Sequence, residues 1–141
     1  AVIEKIRSFE QHGKEDTEAG GVLLGRFVVE SKDIIVDTVS VPMSGDKRTR
    51  YSFHRGAKMH QRVIDEEWKR TNGTCHYLGE WHTHPEQYPD PSGKDISNWK
   101  THLNRDIFSS RYLYFIIVGT REIGMWEGDR RTLKFKKLKA L

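Results

Sequence analysis

The chain has 141 residues, of which 35% are hydrophobic and 31% charged, and its formal net charge is +4. This balance is typical of a globular domain with a hydrophobic core, and it favours that class over a disordered or membrane protein. No apolar run approaches the roughly 20 residues that a membrane-spanning helix needs. A single cysteine, Cys75, excludes an internal disulfide framework, and the first ten residues have no signal-peptide pattern. We therefore expect one domain over residues 1–141, in a reducing cytoplasm.

Hydrophobic periodicity predicts helices and strands in mixed order along the chain. The predicted elements are, in chain order, a helix over 2–11, strands over 20–30 and 33–41, a loop over 42–50, a short strand over 51–55, a helix over 56–71, a strand over 75–84, a loop over 85–91, a helix over 93–105, and strands over 112–120, 122–128 and 132–138. In the second helix, Met59, Val63 and Trp68 are expected to face inward. This order predicts the α+β class, with one mixed, mostly antiparallel sheet flanked by helices.

Basic residues concentrate in two segments, KRTR at 47–50 and the tail RRTLKFKKLKAL at 130–141. Such segments can bind an anionic partner such as nucleic acid. In the tail, however, Leu133 and Phe135 alternate with polar residues, which is typical of an edge strand whose outer face is solvated. The sequence also lacks an aromatic-rich basic groove, so we do not expect nucleic acid as a partner.

The segment GEWHTHPEQYPDPSGKD, residues 79–95, concentrates side chains that can bind a metal. His82 and His84 are two residues apart on a predicted strand, so both imidazoles should project from the same face. Asp95 follows a proline-rich loop and lies in the first turn of the next predicted helix, where it can supply a third ligand. Two histidines and one carboxylate, with a fourth position open to water, are typical of a catalytic zinc site, whereas a closed structural site is expected to use cysteines.

Each of these residues also has a purely structural interpretation. Two histidines on a strand can form an ordinary polar face, and Pro85 can simply end the strand. Ser92 with Asp95 matches a helix capping box by residue type. The metal-site hypothesis therefore depends on the combination of H-x-H-P, a short loop and S-x-x-D.

Hydrolysis at such a site also needs a base that takes a proton from water and later gives it to the leaving amine. Two glutamates compete for this role. Glu80 lies two residues before His82, on the same predicted strand face. Glu18 lies far away in sequence, in EAGGVLLG, just before the first predicted strand. The spacing of the residues leaves both assignments open.

The segments EAGGVLLG (18–25) and HTHPEQYPDPSGKD (82–95) together resemble the JAMM signature of MPN-type (Mov34/MPN/PAD-1, JAB) zinc metalloproteases. That signature is E-x-x-G-x-L-x-G followed by H-[ST]-H-P-x6-S-x-x-D, and every position is matched, including the loop length. The order of elements is similar over residues 2–128. The chain is short, and with GEWHTHP it most resembles the small bacterial members, in particular the deconjugating peptidases of CBASS anti-phage operons.

The resemblance implies an MPN-like domain that binds one Zn²⁺ through His82, His84 and Asp95. It also implies that Glu18 is the base that activates water and that Ser92 donates a hydrogen bond to the tetrahedral oxyanion.

On this assignment Glu80, where eukaryotic members usually have an apolar residue, would orient His82 or His84. The implied substrate is a protein with an extended C-terminal tail, either a ubiquitin-like protein or a CD-NTase conjugated to target amines. An operon-encoded enzyme with E1- and E2-like activities would make the conjugate.

Other functions remain open from the sequence. A general processing protease for ubiquitin-like proteins would use the same residues. A non-catalytic MPN scaffold is disfavoured by the intact set of ligands. A zinc deaminase would combine H-x-E with P-C-x-x-C, and Cys75 has no cysteine partner.

Overall fold

A six-stranded sheet organises residues 1–139, which are the residues that the computed structural model describes. The helices and strands are, in chain order, α1 (Val2–Arg7), β1 (Gly20–Phe27), β2 (Ile34–Val39), β3 (Lys47–Thr49), β4 (Ser52–His54), α2 (Ala57–Arg70), β5 (His76–Thr83), α3 (Gly93–Arg105), β6 (Tyr112–Val118), β7 (Ile123–Asp129) and β8 (Phe135–Leu138). The strand order is β2-β1-β5-β6-β7-β8, and β3 pairs with β4 in a separate two-stranded sheet. β5 and β6 are parallel because α3 carries the chain back between them, and the other pairs are antiparallel.

Both faces of the sheet are buried. In β6, Phe115 and Ile117 belong to the core on the side of α2 and α3, whereas Ile116 and Val118 belong to the core on the side of α1. This explains why the sequence of β6 is a continuous apolar run rather than an alternation of apolar and polar residues. Helix α3 is held on its face by Trp99, whose ring stacks on Phe115 with centroids 4.5 Å apart.

The α+β class and the mixed, mostly antiparallel sheet predicted from the sequence are confirmed. The first helix ends earlier than expected, at Arg7, because the following amides of Phe9 and Glu10 bond to carbonyls three residues back and tighten the chain into a turn. The predicted loop 42–50 was partly wrong, since it contains β3.

The prediction that Trp68 faces inward was wrong, since Trp68 is 48% exposed. It lies near the end of α2, where its ring meets His76 at the surface. The buried residue of this helix is His60, at 1% exposure. The hydrophobic pattern did not predict this, because histidine is polar. Its burial is possible because the ring nitrogens form hydrogen bonds with Ser40 at 2.6 Å and Asp46 at 2.9 Å.

The basic tail contains the predicted edge strand, because β8 is the last strand of the sheet and exposes Lys136 and Lys137. Leu133 lies before this strand in a left-handed turn, with φ 55°. The last two residues of the tail, 140 and 141, lie outside the described residues. Within residues 1–139, no helix is both long and apolar enough to cross a membrane.

Candidate metal centre

Two histidines lie at the end of strand β5, His82 within the strand and His84 directly after it. His82 and His84 are both buried, and the His82 ring lies beside Trp99 of α3. Trp81, between Glu80 and His82, packs into the core on the opposite face. The alternation of a strand therefore brings the two imidazoles together, with their Nε2 atoms 3.0 Å apart.

Asp95 reaches the same two histidines from the first turn of α3. Its Oδ1 lies 3.3 Å from His82 Nε2, and its Oδ2 lies 3.0 Å from His84 Nε2. The carboxylate is held by a capping box, in which Ser92 N donates to Asp95 Oδ2 at 2.8 Å and Asp95 N donates to Ser92 Oγ at 3.0 Å. The proline-containing loop 85–91 and the helix start thus fix the direction of this side chain.

The three donor groups fit a transition-metal ion in their chemistry and in their spacing. Imidazole nitrogen and carboxylate oxygen are common zinc ligands at about 2.0–2.2 Å, and two corners of a tetrahedron of that size are about 3.3 Å apart. The observed separations between donor atoms of His82, His84 and Asp95 run from 3.0 to 3.3 Å.

Glu18 brings a second carboxylate to the same histidines. Its ligand atom and those of His82 and His84 all lie within 4.8 Å of one another, so this trio could also hold a metal by distance alone. Asp95 is the nearer carboxylate, because its two oxygens contact the two Nε2 atoms directly. Both carboxylates therefore lie within reach of a metal held by His82 and His84, and Asp95 is in direct contact with the two rings.

The segment that carries Glu18 is anchored to β5 by the residue between the two histidines. Thr83 accepts a hydrogen bond from Ala19 N at 2.9 Å and donates one to the side chain of Gln11 at 2.8 Å. Gln11, itself buried, holds the loop through its bond to the Asp16 carbonyl at 3.1 Å. Thr83, the central residue of H-T-H, therefore fixes the position of the segment that carries Glu18, although the Thr83 side chain points away from the candidate site.

Burial changes the acid strength of Glu18. The side chain is 2% exposed, and removal from water raises its pKa to about 7, against the opposing effect of the His82 and His84 charges. A carboxyl group with a pKa near neutrality can exchange a proton at the pH of a cell.

The pKa values of Asp95 and His84 are shifted in opposite directions by their contact. Burial acts to raise the pKa of Asp95, but its hydrogen bonds to His82 and His84 outweigh burial and lower it. Burial acts to lower the pKa of His84, but the hydrogen bond and charge of Asp95 outweigh it and raise it. Both shifts show that an ionised Asp95 and a protonated His84 stabilise each other.

Ser92 lies at the exposed rim of the site, as the N-cap of α3. Its oxygen is already used as the acceptor for Asp95 N. A serine hydroxyl also carries one proton, which remains available to a group outside the helix. The capping role and a role as hydrogen-bond donor are therefore compatible.

Glu86 is a residue of the site that the sequence reasoning missed. Its Oε1 lies 2.7 Å from His84 Nδ1, the ring nitrogen that faces away from Asp95. The side chain is about half exposed, and the backbone is held by a hydrogen bond from Thr120 N to Glu86 O at 2.7 Å. The usable signal was its position two residues after a candidate ligand, since metal-bound histidines commonly donate their second N–H to a carboxylate.

Glu80 does not orient either histidine, contrary to the expectation from the sequence. Its carboxylate pairs with Arg55 and lies 3.3 Å from His102 Nε2 on α3. The strand alternation does place Glu80 on the face of His82, but its carboxylate is directed to the Arg55 guanidinium and to His102 on α3 instead.

The sequence matches the family model described as prokaryotic homologs of the JAB domain, over residues 1–134. This chain belongs to that family. Proteins named CD-NTase/cGAS isopeptidase from Escherichia coli and Vibrio cholerae are 33% and 34% identical to it over 138 and 140 residues. These alignments cover 98% and 99% of this chain and 83% and 86% of the relatives.

A protein of the same name from Pseudomonas aeruginosa is 41% identical over 99 residues, which are 70% of this chain but only 61% of that relative. Among solved structures, a Desulfitobacterium hafniense protein has a TM-score of 0.68 at 17% identity and covers 97% of this chain and 85% of its own. A Salinibacter ruber protein has a TM-score of 0.58 at 16% identity, with 96% and 84% covered. These two structures share the fold.

Proposed function

We propose that this chain is a zinc-dependent isopeptidase that releases a CD-NTase, or a similarly conjugated protein, from the amine to which its C-terminus is joined. The observation that carries the proposal is the arrangement of the His82, His84 and Asp95 donor atoms within 3.0–3.3 Å, with the buried Glu18 beside them. The relatives named CD-NTase/cGAS isopeptidase support the substrate class. A Sinorhizobium fredii relative, 28% identical over 133 residues and named probable metalloprotease y4qB, supports metal-dependent hydrolysis.

In this proposal His82, His84 and Asp95 hold one Zn²⁺. When bound, zinc supplies a water of lowered pKa and polarises the carbonyl of the scissile bond. The role of the three side chains is to fix the ion at the end of β5 with one position open. Glu86, through its contact with His84 Nδ1, keeps the proton on that nitrogen and leaves Nε2 free for the metal.

Glu18 is the proton carrier. It accepts a proton from the attacking water and then delivers it to the nitrogen of the leaving lysine, so that the amide C–N bond breaks to give a carboxylate and a free amine. Its burial supports this role, because a pKa of about 7 makes the carboxylate a stronger base than an exposed glutamate.

Ser92 is the donor to the oxygen of the scissile carbonyl as negative charge develops there. Such a donor is most effective when its position is fixed before the reaction begins. The capping bond from Asp95 N to Ser92 Oγ, 3.0 Å long, supplies this fixation. The same helix turn therefore holds a metal ligand and the proposed oxyanion donor.

The substrate tail is proposed to lie extended across this site and to pair through its backbone with a neighbouring strand. The two-stranded sheet of β3 and β4 adjoins Glu18, whose N–H donates to Thr49 O at 2.7 Å and whose carbonyl accepts from Arg48 Nε at 2.7 Å. A tail that ends in glycine or alanine can approach the metal without side-chain clashes. The conjugate itself would be made by an operon-encoded enzyme with E1- and E2-like activities, in anti-phage defence.

The direct test uses purified protein with one equivalent of zinc and a CD-NTase joined through its C-terminus to a lysine of a carrier protein. We expect intact mass spectrometry to detect free CD-NTase with an unmodified C-terminal carboxylate and carrier with a free lysine. A chelator should stop the reaction, and zinc should restore it. A zinc-loaded protein that leaves this conjugate intact would contradict the proposal, and cleavage of only a ubiquitin–lysine conjugate would indicate a general processing protease.

A further inference from the structure

Five polar side chains form a connected cluster between β5 and α3, next to the candidate metal centre. We refer to Arg55, Tyr77, Glu80, His102 and Asp106 as the β5–α3 polar cluster. Arg55 pairs with Glu80 and lies 3.1 Å from Asp106 Oδ2. Tyr77 donates to Asp106 at 2.6 Å, and His102 lies 3.3 Å from Glu80 and 3.0 Å from Asp106.

The cluster is largely withdrawn from water. The side chains of Arg55, Glu80, Asp106 and His102 are 13–23% exposed, and Tyr77 is buried. Burial acts to lower the pKa of His102, but the Glu80 charge and the Asp106 hydrogen bond outweigh it and raise it. Two positive groups, Arg55 and protonated His102, are thus paired with two negative groups, Glu80 and Asp106. Buried charges are tolerated when they are paired in this way.

The cluster joins the two elements on which the metal site depends. Two proposed ligands lie in β5 and directly after it, and the third lies in α3. The distances between them therefore depend on the translation of α3 along its axis and on its rotation about that axis. The helix residues that face β5 are spaced at i, i+4 and i+7, which is one face of an α-helix, and Asp106, the residue that ends the helix, adds a fourth contact. From the metal end, the contacts are Asp95 with His82 and His84, Trp99 with His82, His102 with Glu80, and Asp106 with Tyr77.

Apolar packing alone specifies this position weakly. Trp99 and Leu103 bury α3 against the sheet, but hydrophobic contact is non-directional. Hydrogen bonds between fixed donors and acceptors are directional, and a buried polar network that must be fully paired admits few arrangements. We propose that the β5–α3 polar cluster is a positioning device, in which the contact between Glu80 and His102 sets the register of α3 and thereby holds Asp95 against His82 and His84.

This inference rests on the proposed metal site but not on the proposed substrate. Its test therefore measures metal binding and helix order rather than cleavage. The readouts are zinc affinity by competition with a chromophoric chelator, the visible absorption of the Co²⁺-loaded protein, and amide hydrogen exchange of the first turn of α3 in the metal-free protein.

The variants are His102→Ala, Glu80→Gln and the double variant. We expect each single change to lower zinc affinity by about 10- to 100-fold, the usual effect of groups that support metal ligands. The Co²⁺ spectrum should change and exchange of the Asp95 amide should speed up. Because the two residues act through one contact, the double variant should lose no more affinity than the worse single variant. His102→Gln, which keeps a donor for Glu80, should recover most of the loss.

The matched control is Asp129→Asn, which removes a different ionic pair, with Arg111 at 2.7 Å, between the last residue of β7 and the residue before β6. It should leave affinity and spectrum unchanged, and circular dichroism should show all variants folded at the assay temperature. Wild-type affinity and spectrum in folded His102→Ala and Glu80→Gln would overturn the inference, as would additive losses in the double variant. Tight zinc binding without cleavage of any conjugate would contradict the proposed function and leave this inference standing.

Discussion

The Nδ1 atom of His84 lies 2.7 Å from a carboxylate oxygen of Glu86, only two residues further along the chain. Because a carboxylate accepts, the ring nitrogen must donate, and the proton of a neutral His84 is held on Nδ1. The other nitrogen, Nε2, lies 3.0 Å from Asp95 Oδ2 and is the nitrogen that would face a bound metal. In the proposed metal site, this short local contact would orient His84 as a ligand.

We predict that Glu86→Gln weakens zinc binding by about tenfold, the low end of the range for groups behind a metal ligand, because its side chain is about half exposed. The glutamine can still accept a hydrogen bond but lacks the charge that favours a donor on Nδ1. Chelator competition measures the change. Glu122→Gln, an exposed glutamate near the same loop, is the control, and equal affinities for both variants would contradict this role of Glu86.

Metal content tests the ligand set. We predict one zinc per chain in the wild type after dialysis, and loss of most of it in His82→Ala and in Asp95→Ala, because each substitution removes one of three protein ligands. Elemental analysis of the dialysed proteins gives the ratio. His54→Ala, on the exposed end of β4, should keep a full equivalent. A full equivalent in either ligand variant would show that the coordination is assigned incorrectly.

Most of the fold could be predicted from the sequence, because periodicity and turn residues mark its elements locally. The third helix was predicted over 93–105 and is observed at Gly93–Arg105. The errors come from residues whose environment is decided by distant partners. His60 is buried because Ser40 and Asp46 satisfy both ring nitrogens, and no local pattern in its helix indicates this.

The acidity of Glu18 predicts how the metal-free protein responds to pH. Its pKa is raised from 4.5 to about 7 by burial, so between these values the folded chain binds more protons than the unfolded chain. The contribution of Glu18 to the free energy of unfolding is therefore fully present below pH 4.5 and is lost as the pH rises through about 7. We predict that Glu18→Gln is stabilised relative to the wild type by up to about 3 kcal/mol at pH 8, and by much less at pH 5.

Urea unfolding of the chelator-treated proteins at the two pH values gives this difference. Glu66→Gln, on the exposed face of α2, serves as the control for a glutamate-to-glutamine change at the surface. A stability difference between Glu18→Gln and the wild type that is the same at pH 5 and pH 8 would contradict the burial of an ionisable Glu18.

The size of the last two side chains of the substrate tail should affect the rate of cleavage. Bulky side chains at its last two positions would lie where the carbonyl must approach the metal, between Ser92 and Glu18. We therefore expect conjugates whose tails end in glycine or alanine to be cleaved faster than those that end in leucine or phenylalanine. Initial rates on a matched series of conjugates measure this. Equal rates across the series would contradict an extended tail crossing close to the metal.

The candidate site could be recognised from the sequence only in part. The spacing of H-x-H-P and S-x-x-D predicts that the two histidines and Asp95 converge, because strand and helix geometry act over short distances. The spacing left Glu18 and Glu80 open as the base, and the family resemblance implied Glu18. The position of Glu18 beside the histidines depends on the distant anchoring of Ala19 and Gln11 by Thr83, which no local pattern indicates. Glu80 was misassigned because Arg55, 25 residues earlier, captures its carboxylate.

The rate of Glu18→Gln with zinc bound tests the central claim, which is a metal-dependent isopeptidase with Glu18 as its proton carrier. Single-turnover cleavage of the conjugate should be measured with Glu18→Gln and Glu80→Gln at one equivalent and at excess zinc. The account predicts that Glu18→Gln binds zinc normally and cleaves about 10²- to 10⁴-fold more slowly, with no recovery in excess zinc, because the amide cannot accept the proton. Glu80→Gln should lose less cleavage activity and should recover part of it in excess zinc. Near-full activity in Glu18→Gln, with Glu80→Gln inactive while zinc is bound, would contradict the account.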